Sequence, residues 1–197
     1  MTDVNVSPPS RLAEGDSGQP ARSAGAAASP PLVDIIELFF FAYRNFVSDP
    51  DEILARFGFG RAHHRVLHFV NRHPGMRVTD LLDILRITKQ SLGRVLRELV
   101  DQGFIDSRAG SSDRRQRLLY VTPKGEALAR DFVALQSARI ERALAECGGP
   151  EALGNARRFL VSMIDPEDRG PIEKFITRAD RAAEELRRLA PGPRSGG

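Results

Sequence analysis

The chain has 197 residues, 41% of them hydrophobic and 28% charged, a balance that excludes a wholly disordered protein and is typical of one globular domain with appendages. Its single cysteine, Cys147, excludes an internal disulfide, and no apolar run reaches the roughly 20 residues that span a bilayer, so we expect a soluble cytoplasmic protein. The formal net charge is only +3, yet residues 86–117 hold eight Lys and Arg against four Asp and Glu. This local excess predicts a surface that meets a polyanion; a solvated charged face without a partner is the alternative.

The N-terminal part divides into an arm and an unusually apolar helix. We expect a disordered arm, because 19 of the 25 residues from Ser7 to Pro31 are Pro, Ser, Ala or Gly and none is aromatic. The next stretch, VDIIELFFFAYRNFV from Val33, has helical length but is apolar on nearly every side. Burying it takes two packing partners, and in so short a chain the second is expected to be another copy. One helix at the centre of a monomeric core is the alternative.

Two further helices are expected next. The tetrapeptide DPDE predicts a helix start with Asp49 as its N-cap, and Gly58 ends that short helix. Apolar residues at helical spacing predict another helix from Arg61 to His73.

A helix-turn-helix is predicted where two short segments are joined by a tight turn. Thr79 is expected to cap the first segment, TDLLDILR, and Thr88 the second, TKQSLGRVLRELVDQG. In the second helix four apolar residues form the buried stripe: Leu92, Val95, Leu96 and Leu99. The opposite face carries Lys89, Gln90, Arg94 and Arg97. Gly93 lies on that face, and because a helical glycine costs about 0.5–1 kcal/mol relative to alanine, its position predicts close approach of a partner.

An arginine-rich hairpin follows the second helix, which ends at Gly103. Phe104 and Ile105 predict one strand and residues 118–121 the other, with SSDRRQR between them. Arginines in this loop offer a second contact point on the same polyanion, and Asp113 is expected to hold one guanidinium by a charge-assisted pair.

The C-terminal third is expected to be helical. Thr122, followed by proline, predicts the capped start of a long helix that ends near Cys147. Two amphipathic helices are expected near residues 151–164 and 171–189, separated by DPEDRGP, and they carry no comparable excess of positive charge.

The segment ITKQSLGRVLRELVDQGFIDSRAGSSDRRQRLLYVTPKGEAL resembles the winged helix-turn-helix core of the MarR family of bacterial transcription regulators. The similarity covers roughly residues 35–147. Its most specific part is the wing pattern Asp-x-Arg, here Asp113 and Arg115, followed by Thr-x-x-Gly from Thr122 to Gly125. The blocks FFFAYRNF and RAHHRVLHFVNRHPG are similar to the PetP-like branch of this family.

The resemblance implies a mainly α fold with a small β-wing, a winged helix-turn-helix joined to a helical dimerisation region. The implied regions are a disordered arm (1–32), N-terminal dimerisation helices (33–60), the winged helix-turn-helix (61–122), C-terminal dimerisation helices (123–190) and a flexible tail (191–197). The implied partners are a second copy of the chain and double-stranded DNA with a pseudo-palindromic operator. The implied DNA-binding residues are Thr88, Lys89, Gln90, Ser91, Arg94, Arg97, Arg108, Asp113, Arg114, Arg115 and Arg117. Many members have an arginine where this chain has Ser107, and that arginine contacts a phosphate. In this chain the contact is kept only if the next residue, Arg108, makes it instead.

No catalytic motif stands out: G-x-S-x-G, H-E-x-x-H, CxxC and a phosphate-binding glycine loop are all absent from the sequence, so we expect neither an enzyme nor a cofactor. Three functions remain open: an operator-binding regulator that responds to an effector, a regulator or architectural DNA-binding protein without one, and a protein-interaction module. The arginine-rich hairpin together with Gln90 and Arg94 favours the first two.

By family analogy an effector would bind where the helix of residues 61–73 meets the first helix and the long helix. Polar candidates there are Tyr43, Arg44, His63, His64 and His68. His64 and His68 have the i, i+4 spacing of two metal ligands, but no third ligand is evident. Structural histidines near the dimer interface are therefore favoured, and no metal site is assigned.

Overall fold

The computed structural model describes residues 31–110, 113 and 115–189. Within these residues the helices are α1 (Val33–Ser48), α2 (Asp51–Ala55), α3 (Arg61–Arg72), α4 (Val78–Leu85), α5 (Lys89–Asp101), α6 (Pro123–Glu146), α7 (Pro150–Ser162) and α8 (Pro166–Leu189), and the strands are β1 (Met76–Arg77), β2 (Ile105–Ala109) and β3 (Arg117–Val121). The expected mainly α fold with a small β-wing is confirmed. Residues 1–30 of the expected arm, the expected tail and Arg114 lie outside the described residues.

The winged domain has its own core. Helices α3, α4 and α5 pack with the start of α6 against an antiparallel sheet in the order β1-β3-β2. Apolar side chains from all these elements meet there, among them Leu67, Leu81, Leu92, Phe104, Leu119 and Phe132. Strand β3 pairs with β2 through Ile105 and Val121 and with β1 through Met76 and Leu119. The sequence does not predict β1, because two residues are too few for an alternating pattern.

Two of the four expected helix caps are wrong. The N-cap position of α2 is occupied by Pro50, and the Asp49 carboxylate accepts two hydrogen bonds of 2.5 Å from the guanidinium of Arg139 on α6. These hydrogen bonds, together with the positive charge of Arg139, hold the pKa of Asp49 below its usual value. At α4 the N-cap position is Arg77, whose N–H donates to the Asp80 carboxylate at 3.0 Å, and Thr79 lies inside the helix.

The other two caps are confirmed. The Thr88 hydroxyl accepts from the Ser91 N–H and the Thr122 hydroxyl accepts from the Gly125 N–H, each at 3.1 Å. Both bonds satisfy an N–H of a first helical turn that has no partner within its helix.

The segment DPEDRGP was expected to lie between the last two helices, and this is wrong: α8 begins at Pro166 and includes Pro171. The preceding turn is ordered by Arg169, whose guanidinium donates to the carbonyls of Ile164 and Ser162 at 2.8 and 2.7 Å. Helix α8 then folds back onto the winged domain: Phe175 stacks on His73 with ring centroids 3.6 Å apart.

Helix α1 contacts little of its own chain. None of its residues is buried, and Phe40 is 65% exposed. The alternative of a central helix in a monomeric core is therefore wrong for this chain. Among the described residues, no helix combines the length and the apolar character that crossing a membrane requires.

Candidate nucleic-acid interface

Helix α5 places a polar face outside the winged domain. Its apolar stripe is buried in the core, which fixes the rotation of the helix about its own axis. The opposite face lines a shallow concavity of about 610 Å³ formed by Gln90, Ser91, Gly93, Arg94 and Arg97. A Cβ added at Gly93 would meet no heavy atom of the described residues within 4 Å, so no neighbour that the structure describes requires a glycine there.

The polar groups of this face differ in how they are engaged. The Thr88 hydroxyl donates to the Ser91 hydroxyl at 2.9 Å, which fixes the first turn of α5. Lys89, Arg94 and Arg97 are exposed, and none of the three forms an ion pair with a residue that the structure describes. Their positive charges are therefore available to a partner.

The tip of the β2–β3 hairpin is shaped by Asp113. Its carboxylate accepts a hydrogen bond from the backbone N–H of Arg115 at 2.9 Å, and its carbonyl accepts from the Gln116 N–H at 3.0 Å. The expectation that Asp113 holds a guanidinium is corrected for Arg115: a carboxylate two residues away reaches the backbone donor more easily than the end of a long side chain. The Arg115 side chain is left exposed.

Two further arginines are held at the base of the wing. The Arg117 guanidinium donates to the hydroxyl and the carbonyl of Ser107, each at 3.1 Å. The Arg108 guanidinium donates to Asp106 at 3.2 Å and lies 4.6 Å from the centre of the Tyr120 ring. Of the arginines expected to contact DNA from the wing, Arg115 at the tip is therefore exposed, whereas Arg108 and Arg117 at the base are bonded within the chain.

The sequence did not single out Arg86, which forms the turn between α4 and α5. Its φ of 51° lies in the left-handed region, and its side chain is 83% exposed with Asp168 of α8 at 3.9 Å. A guanidinium at this turn extends the positive surface next to the start of α5. The signal was available, since Arg86 is the first cation of the basic segment.

The expected effector residues do not form one group. His63 faces α5, whereas His64 faces α6, where its ring lies 4.7 Å from that of Phe132. The His68 ring lies 6.5 Å from that of His64 on the same helix. Burial, followed by the charge of His68, lowers the pKa of His64 to about 4, and burial likewise lowers the pKa of His68. The Nε2 atom of His64 is buried without a hydrogen-bond partner among the described residues, although the Gln136 side chain of α6 lies near enough to the ring to oppose part of the fall in its pKa.

The other two candidates, Tyr43 and Arg44, lie exposed on α1. Within the described part of the chain, no three His, Cys, Asp or Glu side chains are grouped as metal ligands would be.

Known proteins resemble this chain in sequence and in fold. A family model described as the MarR family matches residues 57–116. The chain is 50% identical over 131 residues, 66% of its own length and 78% of the relative's, to the HTH-type transcriptional regulator PetP of Rhodobacter capsulatus.

Solved structures of low sequence identity share the fold. A crystal structure of the transcriptional regulator SlyA is similar with a TM-score of 0.57 at 20% identity, over 66% of this chain and 91% of that one. A mutant of MarR from E. coli complexed with operator DNA gives 0.54 at 17% identity, over 68% and 96%. The MepR–DNA complex of S. aureus gives 0.51 at 19% identity, over 65% and 94%.

Proposed function

This chain belongs to the MarR family of transcriptional regulators, and on that premise we propose that it binds a pseudo-palindromic operator in double-stranded DNA as a homodimer. The observation that carries the proposal is the exposed polar face of α5, where Gln90, Arg94 and Arg97 form no ion pair with any residue in the described ranges and lie beside a wing with Arg115 at its tip. The relative PetP and the MarR family are transcriptional regulators and not enzymes.

The two basic elements suit two different grooves. A helix fits the major groove, where Gln forms paired hydrogen bonds with adenine and Arg with guanine. The narrower minor groove has a strong negative potential and attracts an inserted arginine, so Arg115 at the wing tip is assigned there. Lys89 and Arg97, together with Arg108 and Arg117 at the wing base, are assigned to backbone phosphates.

The second copy is proposed to cover the apolar residues that one chain leaves exposed. On and next to α1 these are Leu32, Val33, Ile35, Ile36, Leu38, Phe39, Phe40, Phe41 and Tyr43. Helix α7 adds Leu153, Phe159 and Leu160. Soluble monomers rarely expose apolar patches of more than a few hundred Å², and one recognition helix per subunit suits half-sites about one helical turn, roughly 10 bp, apart.

Substitutions on the helix and on the wing are expected to affect DNA binding differently. Arg94→Ala should relax specificity at one base pair by about 1–3 kcal/mol, as should Gln90→Ala, because base edges carry the sequence information. Arg115→Ala should weaken binding to most sequences. It should also reduce the slope of the logarithm of the binding constant against the logarithm of salt concentration by about one. The measurement is a salt titration of binding to a duplex selected by the wild-type protein from a randomised pool, and to a scrambled duplex.

Asp83→Asn is a matched control, since this exposed side chain lies on α4, away from the polar face of α5. Equal losses on both duplexes for Arg94→Ala would contradict its role as a base reader. Binding of the wild-type protein that does not depend on salt would indicate a protein-interaction module instead.

We further propose that an effector binds between α3 and α6, beside His64 and His68. A ligand changes DNA affinity only by favouring one spacing of the two recognition helices, and α3 packs both against the long helix α6 and against α5 of the winged domain. The unpartnered Nε2 of His64 is a polar atom that a ligand would satisfy, and both rings are neutral at pH 7 because their pKa values are lowered.

Thermal melting with 4-hydroxybenzoate, haemin or zinc chloride tests this effector site. A probe at about 100 times its dissociation constant is expected to add roughly 2.7 kcal/mol to the free energy of unfolding and to change DNA affinity. The His64→Ala, His68→Ala double variant should lose both effects. Stabilisation that survives the double substitution and leaves DNA affinity unchanged would refute the placement, and no response to any probe would favour a regulator without an effector.

A further inference from the structure

We propose that His63 is a positioning residue for DNA recognition, because it holds the Glu98 carboxylate away from Arg94 and so leaves the Arg94 guanidinium free for DNA. The inference rests on the proposed function. The sequence suggested His63 as an effector contact, but in the structure its side chain faces α5.

Three contacts fix the His63 ring. The ring is buried and stacks on Phe59, with centroids 4.5 Å apart and planes 8° from parallel. Its Nδ1 accepts a hydrogen bond from the backbone N–H of Gly60 at 3.1 Å, so the proton of the neutral ring is on Nε2. That Nε2–H donates to the Glu98 carboxylate at 2.6 Å. The orientation of the ring therefore dictates where the carboxylate lies.

Glu98 would otherwise have a competing partner. It follows Arg94 by four positions on α5, and oppositely charged side chains at this spacing attract each other on a helix surface. The Glu98 side chain is 40% exposed, so it has room to turn. In the structure its carboxylate pairs with His63, and no described residue forms an ion pair with Arg94.

Release of Glu98 would harm DNA binding in two ways. A carboxylate paired with Arg94 occupies the donors that would bind a guanine, and a DNA contact would first have to break that pair. A negative charge turned toward the DNA face also repels phosphates. An acidic residue is thus tolerated beside the binding face because His63 engages it.

Two substitutions separate the contacts of the ring. His63→Asn keeps an acceptor near Nδ1 for the Gly60 N–H but is too short to reach Glu98. His63→Gln extends a donor toward Glu98 but gives up the bond to Gly60. The asparagine variant is expected to lose about fivefold in affinity for the selected duplex, part of the value of a base contact, whereas the glutamine variant should stay within about twofold of wild type.

Second-site substitutions identify the cause. Glu98→Gln in the His63→Asn background is expected to restore affinity, because the freed side chain no longer carries a charge. Asp101→Asn removes another acid of α5 and should not restore it. Melting temperatures of all variants are measured in parallel.

Several outcomes would overturn the inference: wild-type affinity in His63→Asn, no rescue by Glu98→Gln, or equal losses in the asparagine and glutamine variants that follow their melting temperatures. If either variant fails to fold, Glu98→Gln in an otherwise wild-type chain must leave specific binding intact, since the inference gives the Glu98 carboxylate no contact with DNA; a loss there refutes it. Absence of salt-dependent DNA binding by the wild-type protein would instead refute the proposed function, and the inference with it.

Discussion

Replacement of Gly125 with alanine is expected to destabilise the protein by about 3 kcal/mol and to lower its melting temperature by roughly 10 °C. A Cβ at this position would lie 2.1 Å from the carbonyl oxygen of Phe104, and that oxygen belongs to backbone, which cannot turn aside as a flexible side chain would. The first turn of α6 is also held there by Thr122, whose hydroxyl donates to the Gly103 carbonyl at 2.7 Å. Thermal or denaturant unfolding measures the change.

Gly154→Ala is the matched control, because a Cβ at Gly154 of α7 meets no heavy atom within 4 Å in the part of the chain that the structure describes. It should stabilise the protein slightly, since alanine is favoured over glycine inside a helix by about 0.5–1 kcal/mol. A Gly125→Ala variant as stable as wild type would show that α6 shifts away from Phe104 at little cost. The close approach would then not explain the Thr-x-x-Gly pattern.

Replacement of Phe40 with aspartate is expected to give a folded monomer whose affinity for the selected duplex falls about 100-fold or more. Phe40 is 65% exposed in the single chain, so the winged domain does not depend on it for folding. A charge in the proposed interface would be desolvated without a partner, which disfavours the dimer. A monomer then engages one half-site, and the gain from linking two binding events is lost.

Light scattering at micromolar concentration gives the oligomeric state, and a binding titration gives the affinity. Glu37→Ala, on the same helix, removes a charge without adding one and should leave both unchanged. A wild-type protein that is monomeric at this concentration would end the dimer proposal. A Phe40→Asp variant that remains dimeric would place the interface elsewhere, with α7 as the next surface to test.

Two of the four predicted caps are correct, and in both the hydrogen-bond partner is local. Thr88 and Thr122 cap their helices because each hydroxyl reaches an N–H three residues ahead. Thr79 does not cap α4, because the helix begins one residue earlier, with Arg77 as its N-cap. The buried stripe of α5 follows equally from helical spacing. Asp49 failed as a cap because Arg139, 90 residues away in sequence, offers its carboxylate two charged donors.

The sequence by itself indicated the family, and with it the mainly α fold with its wing, through the resemblance of its central segment to the winged helix-turn-helix core. Periodicity, capping and a contiguous basic segment predicted the helix that carries Gln90 and Arg94. Only the tertiary structure decided which neighbouring helix each of two adjacent side chains contacts. His63 and His64 are neighbours in the chain, yet one contacts Glu98 of α5 and the other contacts Phe132 of α6. Successive residues on a helix point about 100° apart, so which helix each one meets depends on how α3 packs between α5 and α6, and that packing is set by contacts distant in sequence.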